Sequence, residues 1–192
     1  INPAIPRYDG CSPYRQVPFQ FSVHVQRESG GSLEHEEYLH EDSSDPRPTL
    51  IPKLISVCGS EGSIIAYYAK FEMDRIKEMA SQFSDYADQL NELLERFVDP
   101  LPIIRESVYD NDFMGSFSLK YVAPAILGDQ HSYKDMVVSD GTAAQRAFEE
   151  LIAPDTSIDR KSELKRAMLE YCRKDTLVMV ELVHWLFDQA KN

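Results

Sequence analysis

The segment 161–189 constrains the fold of this chain more than any other. At 3.6 residues per turn, Leu164, Met168, Tyr171, Val178, Met179, Leu182 and Leu186 fall on one side of a single long helix, and Glu163, Arg166, Glu170, Arg173, Lys174, Glu181 and Asp188 fall on the other. An apolar stripe of that length requires a second layer to cover it. Asp175 stands in the middle of the stripe. A carboxylate facing inward is costly unless it is hydrogen-bonded, paired or bound to a metal, so this position marks a candidate site.

The covering layers are legible upstream. In PFQFSVHVQ, Phe19, Phe21, Val23 and Val25 alternate with Gln20, Ser22, His24 and Gln26, which predicts a half-buried strand. Gly30 and Gly31 turn the chain, and LEHEEYL returns as the second arm of a hairpin. The opening 1–18 holds four prolines and reads as an extended surface segment. Farther on, the pattern predicts a short helix over 50–57 ending at Cys58-Gly59, and a strand over 63–68 (SIIAYY). FEMDRIKEMASQF follows as a helix with Ile76, Met79, Ala80 and Phe83 inward, then a second helix over 86–97 with Leu90, Leu93, Leu94 and Phe97 inward.

FVDPLPII is broken by Pro100 and Pro102 and suits only the start of a strand. The stretch around GSFSLKYVAPAIL reads as loop plus a short helix from Ser118, and 141–152 as a helix. Strand and helix patterns alternate, so the expected class is a layered α/β fold, and 192 residues fit one domain.

Charge narrows the function. A formal net charge of −12 argues against broad attraction to nucleic-acid phosphate, while leaving a local site open. The acid excess lies in 28–45 and a basic run in 160–174, both read as solvated faces. His35 and His40, within the acidic run, are read as solvated rather than as metal ligands. No apolar run approaches the length of a membrane span. Three scattered cysteines make neither a disulfide framework nor a thiolate metal site, which fits a reducing, cytoplasmic setting. No Ser/His/Asp or Cys/His nucleophile arrangement and no phosphate-binding glycine loop is present.

A second acid behaves like Asp175. Glu72 lies in line with Ile76, Met79 and Phe83, in the first turn of a helix that follows a strand. The structural alternative for Glu72 is favourable charge placement at a helix N-terminus. For Asp175 it is a buried ion pair or a cap, with Arg75 and Lys70 as candidate partners. Tyr171 precedes Asp175 by one turn, so phenol and carboxylate leave one helix face together. Two inward acids on separate helices with a tyrosine beside one resemble half of a phosphoryl-transfer site, in which hard oxygen ligands favour Mg2+ or Mn2+ over zinc.

The order SIIAYY, AKFE, FVDPL, GSFSLK and Tyr-x-x-x-Asp at Tyr171 to Asp175 resembles the DEDD superfamily of 3′-to-5′ exonucleases, in its tyrosine subclass. PRYDG, PFQFS, DPR, FEMDRIKEMA, GSFSLKYVAPAI and YCRKDT together resemble the exonuclease-like domain at the C-terminal end of a bacterial protein family, over nearly the whole chain. The resemblance implies a ribonuclease H-like mixed β-sheet flanked by helices, and two-metal hydrolysis of phosphodiesters at the 3′ end of a single-stranded nucleic acid. It places Glu72 at the second acidic motif and Asp175 at the third, both as ligands of Mg2+ or Mn2+. Tyr171 would position or help deprotonate the attacking water. Asp99 would support the site, and Ser116 and Lys120 would touch substrate phosphate.

Two departures accompany the resemblance. Glu72 stands where the superfamily more often has Asp, one methylene shorter. The first motif, Asp-x-Glu on the first strand, is missing from 1–192. The expectation is therefore a C-terminal fragment of a longer protein, inactive or nearly so by itself, with the parent's other domains as partners. The alternative is a catalytically degenerate ribonuclease H-like module that binds nucleic acid or protein.

Overall fold

The computed structural model describes residues 1–191. The alternating segment forms β1 (Gln20–Gln26), which pairs antiparallel with β2 (Leu33–Leu39) in a register from Gln20 opposite Leu39 to Gln26 opposite Leu33. Gly30, at φ 75°, takes the left-handed conformation that the reversal needs. Then come α1 (Arg47–Cys58), β3 (Ile64–Ile65), α2 (Lys70–Gln82), α3 (Ala87–Leu94), β4 (Phe97–Val98) and α4 (Leu101–Ser107). After them follow α5 (Leu119–Leu127), α6 (Gly141–Leu151) and α7 (Ile158–Gln189). β3 and β4 pair in parallel, Ile64 opposite Phe97. The fold is mixed α/β, with seven helices and two separate two-stranded sheets among the described residues, rather than one continuous sheet.

Three apolar clusters hold these elements. One joins the N-terminal segment to α6 and α7 through Val17, Leu39, Phe148, Leu164, Met168 and Tyr171, with Phe19 stacked on Phe148 at 4.1 Å. A second packs the hairpin against α1, α2 and α3 through Tyr38, Leu50, Ile51, Ile76, Met79 and Leu90. The third gathers α4, α5 and the C-terminal half of α7 around Ile104, Phe113, Val122 and Leu182. Along α7 the first cluster ends near Cys172 and the third includes Leu182, Trp185 and Leu186, so Asp175 lies between two apolar cores.

Several local expectations change. The strand expected over 63–68 keeps only Ile64 and Ile65, because Tyr67 to Ala69 turn into α2 and Tyr68 adopts a left-handed φ of 62°. Phe97, expected on a helix, is a strand residue of β4: the helix stops at Leu94, and the parallel partner Ile64 fixes Phe97 in extended form. The Pro-broken stretch that follows is the helix α4, with proline in its first turn where a missing N–H costs nothing. Ile1 and Val17 are buried and the Val17 N–H donates to the Ile1 carbonyl at 2.6 Å, so both ends of the segment expected at the surface are anchored in a core.

The polar stripe of β1 is half-buried. It lies against α7 as a hydrogen-bonded seam. Gln20 donates to the Met168 carbonyl at 2.8 Å, Ser22 and His24 bond Thr176 at 2.9 and 2.8 Å, and Gln26 bonds His184 at 2.9 Å. His40, expected in solvent, is buried and bonded to Tyr38 at 3.0 Å and Ser44 at 3.1 Å. The acidic and basic runs, expected as solvated faces, meet at the exposed pair Lys165 and Glu41, 2.6 Å apart. The three cysteines are free. Among the described residues no helix is long and apolar enough to cross a membrane.

Candidate active site

The parallel pair sets the location. In open α/β sheets the carboxyl ends of parallel strands are where ligands bind, because loops and helix N-termini converge there. β3 runs through the turn at Tyr67–Ala69 into α2, placing Glu72 in the first helical turn. β4 is followed at once by Asp99. The Asp99 carboxylate accepts from the backbone N–H of Tyr68 at 3.0 Å, Ala69 at 2.9 Å and Leu101 at 2.9 Å, so one side chain ties together the starts of α2 and α4.

Glu72, expected on the inward stripe of α2, is exposed in the first turn of that helix, yet enough protein lies around its carboxyl to push it up to about 7. Loss of hydration is the largest cause. The negative charges of Asp99 and Asp175 add to it, and a bond from the backbone N–H of Glu72 opposes it. Asp99 thus joins the first turn of α2 to the end of β4, and the charge of Asp175 on α7 acts on Glu72 as a smaller contribution.

On the α7 side, burial raises the Asp175 carboxyl above its ordinary range, while the phenols of Tyr133 and Tyr171 and the Lys120 ammonium pull it down. Neither Arg75 nor Lys70 pairs with Asp175, contrary to the structural alternative above. Arg75 bonds Glu78 at 2.9 Å and also Gln16, and Lys70 bonds Asp74 at 2.6 Å. Tyr171 is buried, and burial followed by the charge of Asp175 drives its hydroxyl far above the usual phenol range. Tyr133 meets it edge to face, ring centres 6.2 Å apart, and its own hydroxyl is raised in the same way. Cys172, pushed up to about 12 chiefly by burial, stays a thiol at neutral pH and offers no nucleophile.

The two residues expected to touch phosphate differ in their surroundings. The Lys120 ammonium sits 5.9 Å from the centre of the Tyr171 ring and donates to the Ser139 carbonyl at 2.5 Å, which draws it into the Asp175 cluster. The Ser116 hydroxyl accepts from the Ser118 N–H at 3.2 Å, at the start of α5. Its loop is tied to the turn before α2 by the Tyr67 hydroxyl, which donates to the Phe117 carbonyl at 2.8 Å. Tyr133 is the member of the cluster that sequence reasoning misses. It lies in an aperiodic loop between Gly128 and Gly141, where neither periodicity nor a motif marks it.

Chemically, the cluster combines two carboxylates, two phenols and an ammonium. Glu72 and Asp175 are hard oxygen donors, and two carboxylates together with waters and a substrate phosphate suit one Mg2+ or Mn2+ ion. Among the described residues no group of three or more His, Cys, Asp or Glu side chains is arranged to hold a metal, and a second ion would need further ligands. Two surface hollows lie elsewhere, beside Phe21, Glu37 and Lys53 and beside Glu41, Lys161 and Lys165, and neither contains these groups.

Comparison with protein families finds a match over residues 1–118 to the family described as Domain of unknown function (DUF2779). The chain belongs to the DUF2779 family. The matched part carries β1 to α4, with Glu72, Asp99 and Ser116. Lys120, Tyr133, Tyr171 and Asp175 of this DUF2779 chain follow it. No curated protein and no solved structure matches the chain.

Proposed function

We propose that this DUF2779 chain is an exonuclease-type domain of ribonuclease H-like architecture, which removes nucleotides from the 3′ end of a single-stranded nucleic acid with Mg2+ or Mn2+. The observation that carries the reading is the half-buried Asp175 between two apolar cores, with the Tyr171 phenol and the Lys120 ammonium acting on its carboxylate, and with its charge among those that raise Glu72 on another helix. Glu72 and Asp175 would hold the metal, which when bound would neutralise phosphate charge and activate a water for attack. Tyr171, with a hydroxyl that stays protonated at neutral pH, would donate a hydrogen bond that orients that water. Lys120 would face a phosphate oxygen, and Ser116 would contact the strand farther along.

A second reading is a binding module that has lost its chemistry. It is supported by Asp99, whose carboxylate is engaged by three backbone N–H groups rather than left open to a ligand. One assay separates the two. A 5′-labelled single-stranded oligonucleotide is incubated with Mn2+ and the longest natural form of the protein. The exonuclease reading expects progressive shortening, reduced at least about 100-fold in rate by Asp175→Asn. No shortening, or shortening that Asp175→Asn leaves unchanged, defeats it. Retention of the oligonucleotide without shortening favours the binding module.

A further inference from the structure

Two consecutive residues of α7 meet two consecutive residues of the loop 132–140. The Lys174 ammonium donates to the Ser132 carbonyl and lies 3.5 Å from that of Gln130, and the next residue, Asp175, presents its carboxylate to Tyr133. The far end of the loop is held by Lys120 at the Ser139 carbonyl. Tyr133 is thus fixed from several directions. It is only 4 % exposed, its ring is edge-on to Tyr171, and the Lys174 ammonium lies 5.3 Å from its ring centre. Its hydroxyl nevertheless makes no well-aligned hydrogen bond, although the Asp175 carboxylate lies near enough to act on it.

A buried hydroxyl left unpaired is destabilising, and folded proteins rarely contain one without a reason. Asp175 is the charged acceptor that acts on this hydroxyl, and an aligned hydrogen bond between them would satisfy both groups. We infer that Tyr133 is a positioning residue of the site: its hydroxyl donates to the Asp175 carboxylate and fixes the direction in which that carboxylate points. This divides the work of the two phenols. If Tyr171 turns its hydroxyl toward water or substrate, Tyr133 keeps Asp175 oriented, as the outer hydrogen-bond partners of ligating carboxylates do. The catalytic consequence rests on the exonuclease reading; the Tyr133–Asp175 bond does not.

The test reads the bond and its consequence separately. In NMR spectra of the chain near neutral pH, one tyrosine hydroxyl proton should exchange with water slowly enough to be observed. It should vanish in Tyr133→Phe and in Asp175→Ala and survive in Tyr171→Phe. Absence of that proton from the wild-type chain, or its survival in Asp175→Ala, overturns the inference. Because the Asp175 and Tyr171 variants report on the same proton, the outcome does not hang on Tyr133→Phe folding well.

In the oligonucleotide assay, Tyr133→Phe should lower kcat about tenfold or more with KM little changed, the signature of a misdirected ligand rather than lost substrate binding. Full activity in Tyr133→Phe overturns the positioning role while leaving the exonuclease reading intact. If the wild-type protein shortens nothing while the hydroxyl proton behaves as described, the exonuclease reading fails and the Tyr133–Asp175 bond stands.

Discussion

Asp99 holds the turn from which Glu72 projects and at the same time repels the Glu72 carboxylate. Support of the backbone and tuning of the acid therefore reside in one side chain. Asp99→Ala removes a charged acceptor from three N–H groups and should cost about 2–3 kcal/mol in urea unfolding, with Asp99→Asn costing less because one acceptor oxygen remains. In the Asn variant the Glu72 carboxyl should move from about 7 toward the ordinary range, followed by carbon-detected NMR titration. An unmoved Glu72 would show that Asp99 has no electrostatic hold on it.

Glu72 also makes stability depend on pH. Its carboxyl is raised from 4.5 to about 7 by the fold, so between those values the folded chain binds more protons than the unfolded one. Stability should therefore fall as pH rises through this window and level off on either side. Glu72→Gln should remove that fall and melt higher than the wild type at pH 8. Thermal melts of both proteins from pH 4.5 to 8 measure it, and parallel curves would contradict it.

His24 acts in the opposite direction. Burial, with His35 and Arg173 adding positive charge nearby, lowers its imidazole from 6.5 to about 4, so the ring is neutral in the seam with Thr176. On acidification from pH 6.5 to 4 the unfolded chain takes up the proton first, and stability should drop across that interval. His24→Gln should flatten this part of the melting curve. Thr176→Val, which leaves His24 and Ser22 without their shared partner, should cost about 1–2 kcal/mol near neutral pH by urea unfolding.

Arg47 is a buried cation at the start of α1. It is 3 % exposed, bonded twice through Nε and once through Nη2 to Asp45, also to Gln82 and the Asp9 carbonyl, and lies 5.2 Å from the centre of the Phe83 ring. Arg47→Ala leaves the Asp45 carboxylate with only the backbone N–H of residue 47 and opens the junction of α1, α2 and the N-terminal segment, which should cost about 3 kcal/mol. Asp45→Asn should cost clearly less, since the other Arg47 bonds persist. Equal losses in the two variants would mean that the ion pair, and not the wider set of bonds, carries the junction.

Much of the fold was legible because helix periodicity is local. The spacing of Leu164, Met168, Tyr171, Val178 and Leu182 defines α7 and isolates Asp175 on its inner face before any neighbour is known. Alternation in Phe19 to Gln26 likewise defines β1 as half-buried, but it does not say what the polar side meets, because a strand pattern reports two faces and not their partners. Phe97 shows the same limit. Its apolar character suits a helix stripe or a strand equally, and pairing with Ile64 decides between them. Tyr133 had no local signal at all, since its role depends on a loop that Lys174 and Lys120 draw across α7.

Taken alone, the amino-acid order determined which residues lie on which side of each long element, and so that Asp175 leaves the apolar stripe of α7, whereas Glu72, read onto the stripe of α2, is exposed. Only tertiary packing decided that Asp99 braces the start of α2 from the end of β4, and that the loop carrying Tyr133 is drawn against α7 beside Tyr171. The reason is one of range. Backbone periodicity repeats every few residues and is written in neighbours along the chain, whereas the approach of distant carboxylates depends on how three apolar cores orient the helices that carry them.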